Sequence, residues 1–166
     1  MTPPQNMTVF ENKPETWQRL DWSILRNGWV SFYNSSDSLV ENLDWLRGEN
    51  YSIVEFDCTS WLDENEMHAQ LRDKLNFLSY YGQNFDALND CLSDIEILGA
   101  GLVLVFRHID TYNKSKAQIL LDIIADNARR HMLFGNRLMA LIQADNLDYE
   151  IEAVGATPII KQRTEG

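Results

Sequence analysis

Two strand-like stretches constrain this chain more than any other feature: the unbroken apolar run 102–106 (LVLVF) and 138–143 (LMALIQ), apolar up to its final Gln143. A strand with one wet face alternates apolar and polar residues. A run that does not alternate is covered on both faces, as in a parallel sheet packed by helices. Between the two runs, Leu120, Ile123, Ile124 and Ala128 recur at helical spacing. Asn113 or Ser115 is placed to cap that helix, and Gly135-Asn136 to end it. Strand, long helix, strand is the grammar of a crossover unit.

The preceding sequence repeats the alternation. WVSFY (29–33) reads as a strand. Helix-capping residues follow it, then Leu39, Val40, Leu43 and Leu46 on one helix face, closed by Gly48. YSIVEFD (51–57) is a second strand. Asp63-Glu64 opens a helix with Met67, Leu71 and Leu75 inward, and a turn over 79–82 leads to a compact helix from Asn84 to about Ser93. Nearer the N-terminus, Trp17, Leu20, Ile24 and Leu25 predict one short amphipathic helix stopped at Asn27-Gly28, and 149–161 predicts a small edge hairpin around Gly155.

The expectation is therefore an α/β domain with a small, mainly parallel sheet of about four strands in β-α-β-α-α-β-α-β order. Its parts would be a tail and short helix over 1–27, the α/β domain over 28–148, and an edge segment and tail over 149–166.

Charge narrows the choice of partner. There are 25 Asp and Glu against 14 Lys and Arg, a formal net charge of −11. Such a field repels nucleic acid and anionic membranes and speeds encounter with cationic surfaces, although it also serves plain solubility. Cys58 and Cys91 have no spacing that makes a disulfide framework or a metal site. The N-terminus lacks a charged segment followed by an apolar one, and the most apolar stretch, 95–106, falls far short of the ~20 residues of a membrane span. The expectation is a soluble, cytoplasmic monomer.

Enzyme signatures are missing from the sequence. It has no phosphate-binding GxxxxGK[ST] loop, no GxGxxG, no GxSxG elbow and no HExxH. His68 and His131 fall on helices and read as exposed, while His108 follows a strand, where active-site residues often sit. No metal, cofactor or nucleophile is called for, and the expected protein is not an enzyme.

The concentrated signal is the run Tyr80 to Leu92, YYGQNFDALNDCL. Placed on a helix, Phe85, Leu88 and Leu92 share one side with Cys91 flanking them, and Asp86, Asn89 and Asp90 share the other. Aspartates one turn apart repel by a few tenths of a kcal/mol. Such an arc is either a solvated surface or a surface kept for a cationic partner. Tyr80 and Tyr81, residues favoured at interfaces, lie just before it.

This run resembles the signature segment of the barstar (barnase inhibitor) family, and the likeness extends over about 51–143. It implies a binding protein that inserts this helix and its preceding loop into the cationic cleft of a small basic ribonuclease, one to one. By that resemblance Asp90 is the phosphate mimic, Asp86 a second acidic contact and Tyr80 an aromatic anchor. Asn84 serves as a helix cap or a contact, and Asp126 serves either as an acidic contact on the long helix or as a partner of Arg130. The family's prototype has tryptophans where Asn89 and Ile95 stand, and a glycine at Asp94. Those changes leave open a different client, another basic protein or a toxin that is not a ribonuclease, and make Asp94 a further candidate contact.

Overall fold

The computed structural model describes residues 13–77 and 82–152, together with the backbone of 160–162. Two short helices, α1 (Pro14–Trp17) and α2 (Leu20–Arg26), lead into β1 (Val30–Tyr33), α3 (Ser36–Gly48) and β2 (Tyr51–Asp57). Next come α4 (Glu64–Leu75), α5 (Phe85–Asp94), β3 (Gly101–Arg107), α6 (Lys114–Leu133), β4 (Leu138–Gln143) and β5 (Ile160–Gln162). The strands form one parallel sheet in the order β2-β3-β4-β1-β5. From β1 to β4 the expected alternation of strands and helices is present.

The unbroken apolar runs are explained by helices on both faces. Leu102, Leu104, Phe106, Leu138, Ala140 and Ile142 join a core with Leu71, Leu88, Leu92, Leu120 and Ile124 from α4, α5 and α6. The intervening residues Val103, Val105, Met139 and Leu141 point the other way, against Ile24, Leu25, Leu39, Leu43 and Leu46 of α2 and α3. All of these side chains are 0–7% exposed. At roughly 25 cal/mol per Å² of apolar surface removed from water, this two-sided burial is the main term holding the sheet.

Three local expectations are corrected. The helix expected through Trp17 and Leu25 is broken, because Arg19 is extended (φ −74, ψ 138). That conformation brings its guanidinium onto Asp21, with Nε and Nη2 each 3.1 Å from a carboxylate oxygen. Val40, expected on the apolar face of α3, is 44% exposed. Among the described residues no edge hairpin is present: β5 pairs parallel to β1, with Ser31 opposite Ile160 and Tyr33 opposite Gln162. A parallel pair cannot close through a hairpin turn. Gly155 itself lies outside the described residues.

Asp21 explains how the N-terminal helices are fixed to the sheet. Its carboxylate is fully buried and accepts the Tyr51 hydroxyl at 2.6 Å and Arg137 Nη1 at 3.1 Å. Tyr51 begins β2 and Arg137 immediately precedes β4, so one carboxylate ties α2 to two strand starts. Burial alone would raise the Asp21 carboxyl, but the hydrogen bonds from Arg19 and Tyr51 and the two guanidinium charges outweigh it and hold the group below its ordinary range. The Tyr51 hydroxyl is driven up by burial and by the neighbouring carboxylate. Close packing beside this cluster requires glycine at Gly101, where a Cβ would come within 2.7 Å of both the Arg137 carbonyl and the Tyr51 ring.

Candidate functional site

Helix α5 begins where Asn84 leaves the helical conformation (φ −140, ψ 169) and its Oδ1 accepts the Ala87 amide at 2.8 Å. The expected cap is thus present. Leu88 and Leu92 are buried at 0% and 1% exposure, while Phe85 and Cys91 are half-buried beside them. The Phe85 ring meets His68 of α4 edge-on, centroids 5.1 Å apart. The apolar side inferred from the sequence is the side that packs.

Two polar side chains of α6 complete the seating, and sequence reading missed both. Asn127, fully buried, donates from Nδ2 to Asn89 Oδ1 at 2.9 Å and to the Ile123 carbonyl at 2.9 Å. His131 Nε2 donates to the Leu92 carbonyl at 2.7 Å. That carbonyl belongs to the last turn of α5, where no helical amide follows to satisfy it. His131 is therefore buried at 7% exposure, contrary to the expectation that it is on the surface. His68 corrects the same expectation: it is fully buried, with Nε2 3.4 Å from Glu64. Burial pushes the His68 imidazole below its ordinary range, against the opposing charge of Glu64. A signal existed for both histidines and for Asn127. His68 shares a helical stripe with Leu71 and Leu75, and Asn127 and His131 continue the stripe of Leu120 and Ile124.

The acidic candidates divide accordingly. Asp86, Asp90 and Asp94 are exposed at successive turns of α5 and form no ion pair among the described residues. Asp86 gains from the helix N-terminus, but Asp94 opposes the dipole at the other end, and each pair repels. Asn89 does not stand freely among them: it is half-buried, its carbonyl oxygen engaged by Asn127. Asp126 is exposed on α6 with a guanidinium nitrogen of Arg129 at 3.5 Å; the structure gives it this i+3 partner where the spacing had suggested Arg130. Tyr80 lies outside the described residues, as does Tyr81.

A second polar cluster sits at the carboxyl ends of β3 and β4. His108 adopts a left-handed conformation (φ 58), donates its backbone amide to Gln143 Oε1 at 2.9 Å and places Nδ1 2.6 Å from Asp145 Oδ2. Gln143 Nε2 donates to the other Asp145 oxygen at 3.0 Å. The amide of Gln143, and then His108, hold the Asp145 carboxyl below its usual range. These bonds knit a loop together and leave no nucleophile in the cluster. Cys58 is buried and its thiol is pushed far up by that burial. Among the described residues no three His, Cys, Asp or Glu side chains converge to hold a metal ion, and no helix is long and apolar enough to cross a membrane.

Comparison with known proteins places these features. The family described as Barstar (barnase inhibitor) matches residues 51–143, more than half of the chain and the whole of β2 through β4. A Bacillus subtilis (strain 168) protein named "Putative ribonuclease inhibitor YrdF" is 43% identical over 61 residues, spanning 36% of this chain and 67% of that protein. Among solved structures, a chain of Drosophila ORC bound to DNA gives a TM-score of 0.48 at 17% identity, covering 76% of this chain and 72% of that one. A Walker-type ATPase of Pyrococcus abyssi gives a TM-score of 0.39 at 13% identity, covering 86% and 48%.

Proposed function

The chain belongs to the barstar (barnase inhibitor) family, and from that premise we propose that it is a non-enzymatic, cytoplasmic inhibitor of a small basic ribonuclease. The observation that carries this reading is α5 itself: three exposed carboxylates at one-turn spacing, unpaired among the described residues, on a helix held rigidly from behind. A ribonuclease cleft is built to receive phosphate, and its cationic donors are equally good donors to carboxylates. Asp90 stands for the substrate phosphate, Asp86, Asp94 and Asp126 add acidic contacts, and Tyr80 serves as the aromatic anchor that family membership suggests. Asn84 acts indirectly by starting the helix.

Preorganisation is the physical advantage. A helix fixed by Asn127, His131 and its leucine face loses little conformational freedom on binding, so the contacts it makes are retained as affinity. The net charge of −11 steers a basic partner toward it. Binding is one to one and the free protein a monomer.

A second reading has one observation in its favour. Asn89 is drawn toward α6 by Asn127, so the middle of the acidic edge carries an amide and no large aromatic anchor. A client other than a ribonuclease, basic but differently shaped, would suit that face. The test is inhibition of a panel of small basic microbial ribonucleases by the purified chain. Stoichiometric inhibition supports the ribonuclease reading. A panel left fully active, alongside capture of a basic non-nuclease protein from the native cells, supports the second.

A further inference from the structure

Polar side chains from three connections gather at the carboxyl end of the sheet, in one corner of the core that α4, α5 and α6 cover. Cys58 opens a short helical turn after β2, and Asp110 and Tyr112 sit in and just after the turn that follows β3. Tyr149 comes from the segment after β4. Cys58, Tyr112 and Tyr149 all belong to the core on this face, at 1%, 6% and 8% exposure. Bonds and packing fix the pieces together. The two turns lie against each other, and the Tyr112 ring meets Trp61 edge-on with centroids 5.1 Å apart. Asp110 Oδ2 accepts the Asn146 amide at 2.9 Å, and the Asn146 carbonyl accepts the Tyr149 amide at 3.1 Å. The Asp110 carboxylate is felt by both the Cys58 thiol and the Tyr149 hydroxyl, and Cys58 lies within electrostatic reach of both tyrosines.

Three atoms of this corner are shut off from solvent and have no hydrogen-bond partner among the described residues: Tyr112 Oη, Tyr149 Oη and Asp110 Oδ1. Folded interiors seldom leave such groups unsatisfied, because each has given up its bonds to bulk solvent. We infer that these three atoms bind one internal water molecule. The donor set fits water and little else. Burial pushes both tyrosine hydroxyls up to about 12, so each stays protonated and has a hydrogen to donate. A water accepts from both hydroxyls and donates one hydrogen to Asp110 Oδ1. Its second hydrogen is left for the Cys58 sulfur, a weak acceptor. About three such bonds are the usual complement of a buried water. An anion would meet the Asp110 carboxylate. A metal ion would need more ligands, and among the described residues no three His, Cys, Asp or Glu side chains converge to hold one. Cys58, Asp110 and Tyr112 fall inside the family-matched residues 51–143, and Tyr149 falls outside them. The water is therefore a joint that fastens the segment after β4 to the family domain, well away from the reading of α5 as a partner face.

The test has two arms, both on the full chain. A crystal structure is expected to show one ordered water within hydrogen-bonding distance of Tyr112 Oη, Tyr149 Oη and Asp110 Oδ1. A dry corner, a water bonded to only one of these atoms, or a hydroxyl bonded directly to Asp110 would overturn the inference. The second arm is a double-mutant cycle of Tyr112→Phe and Tyr149→Phe, read by urea unfolding, with circular dichroism to confirm that the variants fold. Each change keeps the ring and removes one donor. Two hydroxyls that share a water are coupled, so the unfolding midpoint of the double variant should fall by less than the two single losses combined. Strictly additive losses would mean that the hydroxyls share nothing, and would sink the joint.

Discussion

The Asn127 side-chain amide donates to Asn89 Oδ1 across 2.9 Å, joining the long helix α6 to the middle of α5. One turn further along, His131 makes the equivalent tie to the Leu92 carbonyl. Helix α5 is thus positioned from behind by two side chains of α6.

Replacing Asn127 with alanine removes that tie and opens space behind α5. The expected cost is about 1–3 kcal/mol of folding stability, the usual range when a buried polar partner is lost. Urea unfolding measures it. Because α5 loosens, inhibition weakens as well, mainly through faster dissociation. An Asn127→Ala variant as stable as the parent would show that the bond does not position the helix.

The buried Asp21 offers a sharper stability test. Asp21→Ala leaves the Arg137 guanidinium, 10% exposed, without its carboxylate. Removing one member of a buried pair typically costs about 3–5 kcal/mol. Deleting residues 1–50 goes further, uncovering Val103, Val105, Met139 and Leu141 while keeping the whole family-matched segment 51–143. That fragment is expected to aggregate or to lose cooperative unfolding, as read by size-exclusion chromatography and circular dichroism.

Stability should fall with acid in two stages. His68 is held below its ordinary pKa by burial, so below about 6.5 the unfolded chain takes up a proton that the folded chain resists, and stability declines there. Asp21, Asp57 and Asp145 are held below the ordinary carboxylate range. Their contribution is complete above about pH 4 and is lost as pH falls through their folded values. Thermal melts across pH 7 to 3 follow both stages. A His68→Phe variant should lack the first stage, and keeping it would assign that stage to another group.

The sheet was legible because LVLVF (102–106) and LMALI (138–142) are apolar at every position, the pattern of strands covered on both faces. The packed face of α5 was legible because Leu88 and Leu92 obey helical spacing without exception. Buried polar residues were harder. Whether Asn127, His131 or His68 faces water or a neighbouring helix depends on which stripe packs, and a polar residue looks at home on either. The break at Arg19 was hidden for a similar reason, since it follows from a carboxylate whose other partners, Tyr51 and Arg137, lie 30 and 116 residues beyond Asp21. The parallel pairing of β5 joins it to β1, near the other end of the chain, a contact no local pattern announces.

The most direct test of the central claim is the inhibition of a small basic ribonuclease by the parent chain and by Asp90→Ala, at low and high salt. The account predicts one-to-one inhibition by the parent, with association slowing as salt rises, and a loss of at least about thirtyfold in Asp90→Ala at nearly unchanged folding stability, since breaking a buried charge pair across an interface costs about 2–5 kcal/mol or more. Equal inhibition by Asp90→Ala and the parent would contradict it.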